Sequence, residues 1–224
     1  MGNDLMRQRK WITPAMVLRV WIPAAYTVFV VSLLISAGFF YSGRLVRIED
    51  ALMSVLLSRR DNPNGYLIAA IGTAVCGVLL LPAATLFHDY LQAIHRLGAG
   101  AWIYRLGLVA VIAIGGLAPF QSEAFGPVHI YLAFLAFTAM VAGLAACLGE
   151  AAFGRIPGRL WLSALAAVHT GELLFLIYTW FVPYPAQGYG PWTSLAALEW
   201  DLCLSIAVGT TALALALNQS TSHH

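Results

Sequence analysis

Residues 118–140 read APFQSEAFGPVHIYLAFLAFTAM. One apolar run ends here, a polar hairpin carries Gln121 and Glu123, and a second apolar run opens with His129 a few residues inside its boundary. A bilayer crossing takes about 20 apolar residues as helix. Both flanks are that long, so the stretch reads as the turn between two membrane spans. An ionisable side chain inside a bilayer costs about 2.5 to 3.5 kcal/mol on insertion scales, which makes His129 a candidate functional residue.

Composition extends this reading to the whole chain. Of 224 residues, 60% are hydrophobic and 10% charged, with mean hydropathy +0.79, against about 25% charged residues in soluble domains. An integral membrane protein follows. The net charge of +2 and the scattered basic residues exclude a nucleic-acid partner and assign those residues to orientation. Cys76, Cys147 and Cys203 all sit in apolar runs and read as small packing residues, not as disulfides or a metal framework. The first apolar run follows Arg7, Arg9 and Lys10 but is too long for a signal peptide, so it is read as a retained span.

Six runs are long enough to cross: 15–41, 66–90, 101–120, 127–150, 159–182 and 191–217. The expected fold is an all-α transmembrane bundle of six helices forming one domain over 1–224, with N-terminus and C-terminus cytoplasmic. Arg7, Arg9, Lys10, Arg96, Arg155 and Arg159 then lie inside, while Arg44, Arg47, Arg59 and Arg60 in the first outer loop run against the positive-inside rule. Thr13-Pro14 marks the first helix start, and Pro23 predicts a kink. In the first outer loop Ile48, Ala51, Leu52, Val55 and Leu56 recur at helical spacing opposite Glu49, Asp50 and Ser54. They predict an amphipathic helix over about 47–58 lying on the membrane surface.

At about 1.5 Å of rise per residue, His169 falls near the midplane of the fifth span and Glu172 one turn beyond, on the same face. Glu199 and Asp201 enter the sixth span from the outer side, as His129 enters the fourth. His129, His169, Glu172, Glu199 and Asp201 are therefore expected to meet in the outer half of the membrane. Two chemistries suit them. The set matches the ligands of zinc or a similar divalent metal that polarises an ester or activates water. Alternatively, His129, His169, Glu172 and Glu199 supply acid–base groups for acyl or phosphoryl transfer on a lipid. Asp201 points about 160° away from Glu199, so one of the two serves structure. The bland counterpart for every member is hydrogen bonding between helices, the role also expected of Ser36, Thr73, Thr85, Ser163 and Ser205. A second polar group, His88, Asp89, Gln92, His95 and Arg96, closes the second span; it reads as a solvated helix end contacting lipid headgroups, with metal or phosphate binding by His88, Gln92 and His95 on one face as the alternative, and Arg105 is expected to snorkel to the same interface.

Phe120-Gln121 before a short loop, His129 followed by Ala133, Phe134 and Phe137, and Glu199-Trp200 in the last span together resemble the DRAM/Frag/Sfk family of six-span membrane proteins. That family includes a Golgi protein of GPI-anchor lipid remodelling, plasma-membrane proteins of lipid organisation and lysosomal autophagy modulators. The resemblance implies membrane lipid handling. His169 and Glu172 fall on no motif of that family, and its proline-rich, serine-containing first outer loop has no counterpart here.

Two functions stay open at this level. One is an intramembrane lipid-modifying hydrolase or transferase; the other is a non-catalytic scaffold or accessory subunit that binds lipid or a partner membrane protein. Haem ligation by His88, His129 and His169 is disfavoured by mismatched depths. Transport is disfavoured because no broken-helix pair is present. The terminal His223 and His224 read as a tag remnant.

Overall fold

A computed structural model describes residues 12–42, 53–94, 96–120, 126–154, 158–182 and 193–221. Within these, six helices are long and apolar enough to span a membrane: α1 Pro14–Phe40, α3 Tyr66–Ala93, α4 Ala99–Leu117, α5 Gly126–Phe153, α6 Arg159–Phe181 and α7 Leu195–Thr221. A short helix, α2 Met53–Leu56, lies between the first two, and the turn Ala118–Phe120 extends α4. Expected and observed ends agree closely. The largest shift is at α7, expected over 191–217 and found over Leu195–Thr221. The start of α1 and the end of α7 lie at one end of the bundle, and α2 lies at the other.

Local chemistry accounts for the shape of α1. Thr13 accepts the Met16 amide at 3.2 Å and caps the helix, and Pro14 takes the first turn, where no N–H is needed. The next turn, Val17–Trp21, is a π-helix in which the Ile22 amide bonds Val17 five residues back. Pro23 follows at once. Proline has no N–H and its ring crowds the carbonyl four residues before it, and the wide turn absorbs both defects.

α1, α3, α4, α5 and α6 pack side by side in chain order. The tightest seam is α4 against α5, and glycines make it. A Cβ on Gly143 would stand 2.5 Å from the Tyr104 amide nitrogen, and one on Gly107 would stand 2.8 Å from the Met140 nitrogen. Without a hydrophobic drive between helices in lipid, close approach at small residues supplies the association energy. α7 closes the bundle, touching α5, α6, α2 and the first turns of α1. α6 is the outlying span. Its buried residues are Leu162, His169 and Leu176, one stripe at seven-residue spacing.

Buried apolar side chains form two clusters. Phe87, Leu91, Tyr104, Leu144, Leu148 and Leu217 belong to a large one toward the termini. Leu33, Met53, Leu56, Tyr66 and Ile114 belong to a smaller one on the α2 side.

α2 departs from its sequence reading. Met53, Leu56 and Leu57 are buried while Val55 is half-buried. The helix packs into the top of the bundle, because Met53 and Leu57 find an apolar recess there and bury more surface than a membrane-surface position allows. Residues 47–52 of the expected helix lie outside the described residues. A hub of hydrogen bonds ties its end to α1: Asn62 Nδ2 donates to Ser36 Oγ at 2.8 Å and to the Leu56 carbonyl at 3.3 Å.

The α4–α5 seam yields a direct test. Gly143→Ala forces its Cβ against backbone that cannot move aside, costing about 1 to 3 kcal/mol. The thermal unfolding midpoint in detergent should fall clearly, whereas Gly116→Ala, where the added carbon meets nothing within 4 Å, should leave it within error.

Candidate functional site

Glu199 lies in the second turn of α7. Its Oε2 accepts the Met53 amide at 2.8 Å and the Ser54 amide at a longer 3.5 Å. The first amides of any helix lack a partner within that helix, and a carboxylate satisfies them especially well. Glu199 therefore caps α2 from 146 positions away in the chain. Cys203, one turn further along α7, brings its Sγ within 3.9 Å of Met53 Sδ.

Beneath α2, where the two core clusters meet, lies a cavity of about 410 Å³. Leu33 of α1, Cys76 of α3 and Leu108 of α4 form its floor and walls, with Met53 of α2 and Leu57 just after it above. Small residues on α5 and α7, Ala133, Ala136, Cys203 and Ala207, leave room for it between larger ones such as Phe137, Met140 and Ile206. Its wall is almost wholly apolar, with His129 and Glu199 as its ionisable members apart from the cysteines and Tyr26. The size falls in the roughly 300 to 1,000 Å³ range of small-molecule pockets.

His169 and Glu172 form a separate pair on α6. His169 is fully buried, and its Nδ1 stands 2.8 Å from Glu172 Oε2 and 3.3 Å from Ser205 Oγ on α7. Its Nε2 has no hydrogen-bond partner and points at Gly209, where any Cβ would collide with the ring. Serine, histidine and carboxylate thus meet, but not as a catalytic relay, in which acid and serine occupy opposite ring nitrogens. The cluster joins α6 to α7 near mid-membrane.

The five-residue constellation expected from depth therefore separates. His129 and Glu199 line one cavity, His169 and Glu172 form a seam elsewhere, and Asp201 is exposed on the outward face of α7. Among the described residues no group of three or more His, Cys, Asp or Glu side chains could hold a metal ion, so the zinc-type site expected from His129, His169, Glu172, Glu199 and Asp201 has no matching geometry. Depth along a helix can be read from sequence; the rotation of each helix about its axis depends on packing and cannot. Gln121, Glu123 and His95 lie outside the described residues.

The secondary polar residues find local partners. The Arg105 guanidinium lies 4.4 Å from the Trp102 ring centre, and Nη2 donates to Thr85 at 3.2 Å. His88 packs edge-on to the same Trp102, and Arg96 donates to the Phe153 carbonyl. Ser36 and Ser205 make the expected bonds between helices, Ser163 bonds its own helix, and Thr73 Oγ1 is buried without a partner. The cysteines are free; Cys76 and Cys147 are buried. Sequence reasoning missed the Tyr104–Thr210 hydroxyl pair at 2.9 Å and the role of Gly209. Neither carries a local signal.

This geometry defines a multi-pass α-helical membrane protein with an apolar cavity between its spans. Compared with protein families, curated proteins and solved structures, the chain matches none.

Two measurements probe these contacts. Glu199→Ala leaves the Met53 and Ser54 amides unpaired at a cost of about 1 to 3 kcal/mol, so amide exchange over residues 53–57 should accelerate while α3 and α4 stay protected; unchanged exchange there would remove Glu199 as the cap. Gly209→Ala should destabilise the protein strongly when His169 is present and only weakly in His169→Ala, a coupling of about 0.5 to 3 kcal/mol in a double-mutant cycle.

Proposed function

We propose that this membrane protein binds the hydrocarbon chain of a membrane lipid in the cavity beneath α2, acting as a lipid-binding or lipid-organising protein. One observation carries the reading: a cavity of about 410 Å³, walled almost entirely by apolar side chains from five spans and covered by α2. An empty apolar space of this size is costly, at about 24 cal/mol per Å³ in soluble cores, and a hydrocarbon chain matches its wall, in which the Tyr26 and Thr73 hydroxyls are the buried groups without a hydrogen-bond partner. The resemblance to the DRAM/Frag/Sfk family points toward the same lipid theme.

Catalysis on the lipid has weaker support. Glu199 Oε2 is occupied by α2 amides, His169 is closed off from the cavity, and Ser205 and Glu172 converge on one nitrogen. His129 is then the cavity's remaining candidate base. As a lining residue it reads as a polar contact at the cavity wall.

The test is photolabelling in proteoliposomes with a phospholipid carrying a diazirine at the acyl-chain end. Cross-links are expected on Leu80, Leu108 and Met140, which are buried from surrounding lipid. Ala133→Phe should reduce them about tenfold, equivalent to about 1.4 kcal/mol of lost binding. Cross-links confined to outward residues such as Leu34 and Leu106 would refute the reading.

A further inference from the structure

We infer that the lipid chain enters the cavity sideways, through a window between α1 and α7, from the leaflet on the α2 side. This rests on the chain-binding reading above. Three cavity-lining residues are also strongly exposed at the protein surface: Val30 at 45%, Leu204 at 65% and Trp200 at 36%. Residues that line an internal space and face outward mark its mouth.

The helical wheel of α7 locates that mouth. Each residue turns about 100°, so Trp200 and Leu204 lie about 100° and 140° to one side of Glu199, whereas Ser205 and Gly209 lie about 120° and 80° to the other. Ser205 and Gly209 face His169 of α6. Trp200 and Leu204 therefore occupy the flank away from α6, toward α1, which supplies Val30.

The frame of the window is continuous. At its base, the first turns of α1 through Trp21 pack on α7. Above the π-helical turn and Pro23, α1 packs more sparsely against α7 than its first turns do. At the top, α2 contacts both helices and is held to α7 by Glu199. Leu204 stands nine residues from the start of α7 and Val30 ten from the end of α1, so both lie about 13 to 15 Å below the α2-side ends at a rise of about 1.5 Å per residue. That depth is inside the hydrocarbon core, which is about 30 Å thick. A lipid whose headgroup stays at the interface presents the distal part of its chain there, so the ligand is one chain entering tail-end first. The charged headgroup stays outside the window, beside which Asp201 is exposed one turn before Leu204 on α7.

The test uses the same chain-end photoreactive phospholipid in proteoliposomes. Val30→Trp and Leu204→Trp place an indole in the window and should lower cross-linking to Leu80, Leu108 and Met140 about tenfold. Leu174→Trp, on the exposed face of α6, serves as control and should retain it. Because an added indole could itself fill the cavity, a second variant carries cysteines at positions 30 and 204, with the three native cysteines replaced by alanine. Bridging them with a reducible bifunctional thiol reagent should suppress cavity labelling, and reduction should restore it. Wild-type protein that labels nowhere in the cavity overturns chain binding itself. Wild-type labelling that persists undiminished in both tryptophan variants and the bridged protein overturns the window alone.

Discussion

Inside hydrocarbon no water is present to satisfy a backbone amide, and most of this structure follows from that constraint. It makes each apolar run a helix. It also explains how α2, which is not a full span, sits inside the bundle: its first-turn amides have no acceptor within the helix, and the Glu199 carboxylate supplies one. Removing that acceptor exposes the constraint directly, since two amides would be left in an apolar recess.

The same logic separates polar residues that hold the fold from those that shape the cavity. His169, Glu172 and Ser205 join an outlying helix to α7, with Gly209 leaving room for the ring. Tyr104 and Thr210 pair across α4 and α7. These bonds satisfy several polar groups of the membrane interior, and the space beneath α2 is left mainly apolar, with the Thr73 hydroxyl buried in its wall without a partner. A cavity of that character suits a hydrocarbon chain better than a charged or strongly polar ligand.

α1 shows how a local defect serves a global arrangement. Its π-turn and Pro23 fall where the packing of the helix on α7 thins out. α6 contributes a single buried stripe and stays outside the cavity. The bundle is therefore asymmetric: one flank of α7 is sealed by α6, and the other borders a gap covered by α2.

Much of this was legible in the residues alone. Spans of apolar residues long enough for a bilayer fixed the number and type of helices, Thr13-Pro14 and Pro23 marked the start and irregularity of α1, and the buried cysteines and interhelical serines were expected from their surroundings. Helix length and capping are local properties, so sequence encodes them directly. Rotation, tilt and inter-helix distance are not local. They placed Glu199 on the amides of α2, turned His169 toward Gly209 and away from His129, and sent Asp201 outward. They also left small side chains facing one another across an unfilled space. Only tertiary packing decided those outcomes, because each depends on which faces meet, and apolar helices carry little sequence information about that choice.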